Sequence, residues 1–309
     1  MSARLVACFL AATAWLGGCA TVAEKSSAQT NTSTSRPNPA APARLVISPA
    51  GVAVAVVRRE RLGWLVRTPC GNTATITGGT PLSDVQVVID PGHGGGDPGA
   101  VANGLHESHV NLQVARLLQR DLDKTGIRSA LTRTGDYDVR IATRAEFVNT
   151  ARPRVFVSVQ HNAGNAAHHD GPGTEVYYQH ESTNSKRLAG LVWENVFAAL
   201  DRFPAHWVGA SDAGSIYRLG RNGDDFYGVL RRTHGTPAVL VETSYISEAS
   251  EAALLATPAF RAVEAQAIAV GIRRYLNTAD RGRGFHTPLS RGYGDPSSPT
   301  SHCTDPNLG

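Results

Sequence analysis

Short apolar runs alternate with amphipathic segments from Asp84 onward. Val85–Ile89 is apolar except for Gln86, the pattern of a strand covered on both faces. Val110, Val114, Leu117, Leu118 and Leu122 recur at helical spacing along one face. Ile127–Leu131 predicts a second strand, residues 140–150 a helix, Val155–Val159 a third strand and Thr174–Tyr178 a fourth. A helix over about 184–200 is followed by an irregular glycine-rich stretch and then by strand Ala238–Val241. The last helix spans about 258–276, with Phe260, Val263, Ala267 and Val270 on one face. Strands alternating with helices imply the α/β class: an open, twisted, mostly parallel sheet flanked by helices on both faces.

The flanking segments have other patterns. Over residues 44–82, Val52, Val54 and Val56 alternate with alanines, Trp64-Leu65-Val66 follows, and Thr73–Thr77 runs into Gly78-Gly79. This predicts a small N-terminal β module that packs as an accessory. Residues 20–43, rich in Ser, Thr, Ala, Asn and Pro, cannot build a core and read as a flexible tether. Residues 278–309 read as an irregular tail after a main domain at 84–277. At the start, Arg4 precedes the apolar run Leu5–Leu16, which ends in Leu16-Gly17-Gly18-Cys19. That is the layout of an export signal over residues 1–19, too short to remain as a spanning helix. Small residues directly before a cysteine resemble a bacterial lipobox and make Cys19 the expected site of lipidation. An ordinary signal peptide cut nearby is the alternative. No other segment is long enough to cross a membrane.

Composition narrows the class of partner. A net charge of +4 over 309 residues suits an anionic surface. No basic run with interleaved aromatics occurs, so nucleic acid is not an expected partner. Of the four cysteines, Cys8 leaves with the signal and Cys19 carries lipid. Cys70 and Cys303 then remain in an oxidising compartment, where a disulfide between them is expected.

Candidate chemistry lies where predicted strands end. Val87-Val88-Ile89-Asp90-Pro91-Gly92-His93 runs from a buried strand into a glycine-rich loop, the usual place for ligands in open α/β sheets. Gly94, Gly96 and Gly99 also satisfy a dinucleotide-type glycine pattern. However, Asp97 and Pro98 put a charge and a missing N–H where phosphate would sit, so a nucleotide is not the expected ligand. Glu107 lies one turn before Val110, on the inward face at the start of its helix; His106 and His109 flank that face. Val157-Ser158-Val159-Gln160-His161-Asn162 and Val239-Leu240-Val241-Glu242 end the other two strands. A glutamate ending a buried strand is costly unless paired or functional. Two histidines and two glutamates at the ends of three strands and one helix suit a catalytic zinc site, which takes imidazoles and a carboxylate and leaves one position for water.

Residues 84–276 resemble the zinc-dependent N-acetylmuramoyl-L-alanine amidase family (amidase type 3) of bacterial cell-wall hydrolases. The resemblance is carried, in order, by Ile89-Asp90-Pro91-Gly92-His93-Gly94-Gly95, by Gly104-Leu105-His106-Glu107 with Asn111-Leu112, by Leu131-Thr132-Arg133, and by Pro237-Ala238-Val239-Leu240-Val241-Glu242 with Ile246-Ser247. It implies His93 and Glu107 as zinc ligands and Glu242 as the catalytic base. The family's third ligand, a histidine ending the middle strand, falls on Gln160, and the histidine here comes one residue later. His161 is the expected third ligand if a bulge or turn brings its ring round. Gln160, His168 and His169 are the other positions to consider. Arg133 and Asn162 are candidates for shaping the site. Residues 162–236 leave no room for the long autoinhibitory helix that some members carry.

The resemblance further implies peptidoglycan as substrate and Zn²⁺ as cofactor; with the signal and lipobox, the expectation is a monomer that is exported, held to the membrane only by its lipid and facing the wall. Two other readings remain open: a non-catalytic peptidoglycan-binding protein on an amidase fold, and a zinc peptidase acting on the stem peptide.

Overall fold

A computed structural model describes residues 43–282, 290–294 and 302–309. The signal and lipidation readings, Cys8 and Cys19 included, lie outside the described residues. Five strands come first: β1 (Leu45–Ile47), β2 (Ala53–Glu60), β3 (Gly63–Arg67), β4 (Thr73–Ile76) and β5 (Thr80–Leu82). After them come β6 (Val87–Pro91), the two-residue β7 (Val101–Ala102) and β8 (Leu105–His106), α1 (Glu107–Asp123), β9 (Ser129–Leu131), α2 (Ile141–Ala151) and β10 (Val155–Asn162). The next elements are β11 (Ala167–His168), β12 (Glu175–Tyr178), α3 (Thr183–Leu200), β13 (Val208–Gly209), β14 (Ser215–Gly220) and α4 (Gly228–Arg231). The chain closes with β15 (Ala238–Tyr245), α5 (Ala249–Leu255), α6 (Pro258–Asn277) and β16 (Ser290–Gly294).

The main sheet has the order β16-β14-β12-β15-β10-β6-β9. Every neighbouring pair is parallel except β12 with β15. The fold is therefore the expected α/β class. Two stretches depart from the sequence reading. The glycine-rich region after α3 contributes β14 and the short helix α4, and the tail contributes β16. Their apolar signal is weak: β14 has only Ile216 as a fully buried aliphatic residue, and two of the five residues of β16 are glycine.

The two faces of the sheet are distinct. On one, Val87, Ile89, Val155, Val157, Val159, Val239 and Val241 pack against α1, α3 and α6. The stripe Val110, Val114, Leu118 and Leu122 is the part of α1 that meets this face, and each such side chain contributes about 1.5–3 kcal/mol on burial. Helix α6 starts on Pro258, with the Thr257 hydroxyl accepting from Phe260 N–H at 3.3 Å, a stop-and-start signal that separates it from α5. Helices α3 and α6 approach closely because residue 271 is glycine: a Cβ there would lie 2.7 Å from Val192 Cα.

The other face, Val88, Phe156, Ala238 and Leu240, is covered partly by Phe147 and Val148 of α2 and Val229 and Leu230 of α4, and partly by the N-terminal module. That module is an antiparallel sheet of order β4-β3-β2-β1-β5. Its Ala/Val alternation has a two-sided use. Ala53 and Ala55 face the main domain, where small side chains allow close approach, while Val52 and Val54 join Val46, Trp64, Val66 and Ile76 in a core of the module's own. Leu308 completes that second core. Cys70 and Cys303 are bonded, with Cα atoms 5.6 Å apart. Nearby, Asp305 accepts from Cys70 N–H (2.7 Å), the Thr68 hydroxyl (2.9 Å) and the Asn72 amide (2.9 Å).

A disulfide closing a loop this long, 233 residues in sequence separation, restricts the unfolded chain. Replacing both cysteines by serine is expected to lower stability by about 2–4 kcal/mol. Thermal melts of oxidised and double-serine protein check this; equal midpoints would mean that Asp305 and Leu308 hold the tail unaided. Among the described residues, no single helix is long and apolar enough to cross a membrane.

Candidate active site

The site is built on the carboxyl ends of β6, β10 and β15, which lie side by side. Two buried arginines hold the loop that leaves β6. Arg144 donates to the Asp90 carboxylate (2.7 Å) and to the carbonyls of Pro91 and His93, both at 2.7 Å. Arg133 donates to the carbonyls of Pro91 (3.0 Å), Gly92 (2.8 Å) and Ser108 (2.7 Å). Asp90 is also tied to the Ser158 hydroxyl at 2.9 Å and to the Thr132 hydroxyl. Burial, then the charge of Arg144, lowers the Arg133 pKa to about 10, so it stays a cation at neutral pH. This clamp fixes His93 with φ +59°, a left-handed backbone that a non-glycine residue adopts only where its surroundings impose it. Arg133 is thus a scaffold for the site and not a group that faces a substrate.

His93 lies between two carboxylates. Its Nδ1 is 2.8 Å from Asp97 Oδ2, and its Nε2 is 3.3 Å from Glu107 Oε2. Burial works against protonation of His93. The hydrogen bonds to Asp97 and Glu107 and the charges of both prevail, and raise its pKa to about 10. Glu107 is the first residue of α1, where the helix dipole favours an anion, and it is buried. Its Oε2 accepts from Ala100 N–H (2.9 Å), and its Oε1 from the Asn111 amide (3.1 Å) and His161 N–H (3.2 Å). Burial disfavours the charged form of Glu107, but the hydrogen bond and charge of His93, with these donors, hold its pKa below the usual carboxylate range.

Glu242 stands opposite Gln160 on β10 and Glu175 on β12 in the strand register. Its side chain is half-buried, and Oε2 is enclosed without a hydrogen-bond partner. Burial, followed by the charges of Glu107 and Glu175, pushes its pKa well up; His93 pulls the other way. Glu175 is itself held by Arg291 of β16, by the Asn162 amide at 3.1 Å and by the Tyr177 hydroxyl at 2.7 Å. Asn162 therefore acts at this rim through Glu175.

The middle strand sends its two candidate residues to opposite faces. Gln160 shares the pleat of Phe156 and Ser158, on the Glu242 side. Its amide lies against Gly92, where an added Cβ would come within 2.1 Å of it, and its Oε1 is 3.4 Å from Asn111 Nδ2. His161 keeps the alternation of Val155, Val157 and Val159 and points into the helical layer. Its ring Nδ1 is 2.7 Å from Asn111 Oδ1 and its Nε2 is 3.5 Å from Glu264 Oε1. A register shift does occur between Gln160 and Asn162, yet the His161 ring stays against Asn111 and Glu264. The expectation that His161 joins His93 and Glu107 is thus at odds with this arrangement, because a one-residue step on a pleated strand reverses the side chain. His168 and His169 lie elsewhere: His168 is on β11, its ring centroid 5.2 Å from that of His206, and His169 Nδ1 is bonded to Gly171 O at 2.9 Å.

Two of the donors that the sequence reading assigned to zinc, His93 and Glu107, are in place side by side. A tetrahedral ion with bonds of about 2.0–2.1 Å sets its ligand atoms about 3.3 Å apart, which is the separation of His93 Nε2 and Glu107 Oε2. Asp97 on the other ring nitrogen is the expected outer support of a ligand histidine. A third strong donor is not: among the described residues no three His, Cys, Asp or Glu side chains are grouped to hold a metal. On β10 the side chain against Gly92 and Asn111 is Gln160, whose amide oxygen is a weaker donor than imidazole.

Asp97, Asn111, Arg144 and Glu264 are site or support residues that the sequence reading did not assign. Asn111 was within reach, since it follows Glu107 by four positions and shares its helix face.

A three-layer α/β domain with His93, Glu107 and an enclosed Glu242 at its strand ends has the architecture that the family resemblance led us to expect. The chain belongs to the N-acetylmuramoyl-L-alanine amidase family, whose sequence model matches residues 87–274. It is 32% identical over 197 residues to N-acetylmuramoyl-L-alanine amidase LytC of Bacillus subtilis, an alignment covering 63% of this chain and 36% of LytC. It is 30% identical over 226 residues to amidase AmiC of Neisseria meningitidis, covering 64% of this chain and 54% of AmiC. The chain thus spans about a third to a half of these relatives. Among solved structures it is similar to amidase AmiC2 of Nostoc punctiforme (TM-score 0.52, 32% identity, 62% of this chain and 96% of that one). It is also similar to an N-acetylmuramoyl-L-alanine amidase of Clostridium difficile 630 (TM-score 0.53, 27% identity, 63% and 97%). The family is generally zinc-dependent.

Proposed function

We propose that this chain hydrolyses the amide between the lactyl group of N-acetylmuramic acid and L-alanine in peptidoglycan. The observation that supports it most is the His93 Nε2–Glu107 Oε2 separation of 3.3 Å together with the enclosed, unpartnered Oε2 of Glu242. His93 and Glu107 would hold Zn²⁺, with the Gln160 amide facing them in place of a third imidazole. Bound there, the ion would supply Lewis acidity toward the scissile carbonyl and toward water. Glu242 would take the proton of the attacking water and pass it to the departing amine. Asp97 would keep the His93 ring oriented, and the Arg133–Arg144 clamp would keep the loop from relaxing. Export to the wall fits both the substrate and the Cys70–Cys303 bond; a lipid anchor at Cys19 is part of this proposal. Digestion of purified sacculi tests the reading: released peptides should begin with a free L-alanine amine, and peptides cut within the stem would overturn it in favour of a peptidase.

Gln160 supports a second reading, a wall-binding protein with little catalysis. Gln160→His should separate the two. An imidazole in place of the amide is expected to tighten zinc binding by about tenfold or more, which is about 1.4 kcal/mol or more. Competition with a chromophoric chelator reads this directly. If the unaltered protein binds no zinc and releases no peptide while Gln160→His does both, the wall-binding reading stands.

A further inference from the structure

His161 is out of place as a ligand, yet it is not a passive core residue. It is 2% exposed and Glu264, from α6, is fully buried, so both polar groups were taken out of water at substantial cost. Their arrangement is directional. Asn111 Nδ2 faces three oxygens: Glu107 Oε1 at 3.1 Å, Gly92 O at 3.4 Å and Gln160 Oε1 at 3.4 Å. Those acceptors fix the nitrogen end of the amide. Its Oδ1 must then accept, so His161 Nδ1 carries the proton of the 2.7 Å bond. With Nδ1 committed, Nε2 faces Glu264 Oε1 at 3.5 Å, and Glu264 Oε1 in turn accepts from the Ser244 hydroxyl at 3.2 Å. A chain of contacts therefore runs from α6 through β10 to α1 and ends on three residues of the site.

We propose that His161 is a positioning residue: it locks the Asn111 amide so that Nδ2 anchors Glu107, the Gly92 carbonyl next to His93, and Gln160 as one unit, while its Nε2 faces Glu264 without a hydrogen bond. The histidine that comes one position late thus supports the site from behind. Its catalytic consequence rests on the amidase reading, whereas the locking itself does not.

The test uses His161→Phe, which keeps a ring without the donor, and His161→Asn, whose amide nitrogen can stand near the Nδ1 position. His161→Phe with Glu264→Met removes both buried polar partners, which is tolerated far better than orphaning one. In metal-stripped protein labelled with ¹⁵N-asparagine, the Asn111 side-chain N–H signals should be protected from solvent exchange. Protection should be lost in both Phe variants and restored in His161→Asn. Zinc affinity should fall about 10–100-fold in the Phe variants, the usual cost of losing an outer-shell support. It should fall no further when Asn111→Ala is added, because the two residues act in series. Unchanged Asn111 protection in the folded double variant overturns the proposal, as does a multiplicative effect with Asn111→Ala. Failure of the amidase reading looks different: no peptide release by the unaltered protein, with Asn111 protection still dependent on His161.

Discussion

Glu242→Gln is expected to abolish peptide release from sacculi and, at the same time, to raise the melting temperature of the metal-stripped protein. The loss follows from removing the proposed general base, worth about 10²–10⁴-fold in rate. The gain follows from the position of Glu242 in the register, with Glu175 opposite it and Glu107 near enough for its charge to act. Burial and these two carboxylates raise its folded-state pKa, so folding takes up a proton there. A raised acid pKa lowers stability as pH climbs from the unfolded value toward the folded one. Glutamine carries no such cost. The variant's thermal advantage should be plain at pH 7–8 and vanish near pH 4, where both states of the native residue are protonated. Calorimetry at the two pH values, with zinc retention measured in parallel, decides it. Retained cleavage, or an advantage that does not depend on pH, would count against the assigned role.

The second large effect is structural. Arg144→Met is expected to cost about 3–5 kcal/mol, because it leaves the Asp90 carboxylate buried without its cation. The same guanidinium holds the Pro91 and His93 carbonyls, so the left-handed turn at His93 should relax with it. Urea unfolding reads the stability. Adding Asp90→Leu should recover much of the loss, since an apolar pair of similar volume replaces the ionic one, but it should not recover zinc binding, which depends on the clamped loop. A single variant as stable as the parent would mean that the Ser158 and Thr132 hydroxyls satisfy Asp90 by themselves.

Much of this was legible in the sequence for a simple reason. Strands β6, β10 and β15 are apolar on both faces, so they stand out as continuous runs that end in polar residues, and those residues make the site. Where burial is one-sided or glycine interrupts the run, as in β14 and β16, the signal fades. The same two-sided burial hid the direction of His161. A strand that is apolar throughout does not reveal which parity faces which layer, so Gln160 and His161 could not be told apart until the packing of α1 and α6 was known. Arg144 was hidden differently. A lone arginine in an amphipathic helix ordinarily points to solvent, and only the carbonyls of the β6 loop show why this one is buried.

Leu308 lies in the core of the N-terminal module. In a ribosome-made chain, β1 to β5 therefore emerge long before the side chain that completes their packing, and Cys70 waits as long for Cys303. The core of the module made first is filled only after the amidase domain has been made, so its final packing reports that synthesis has passed Leu308.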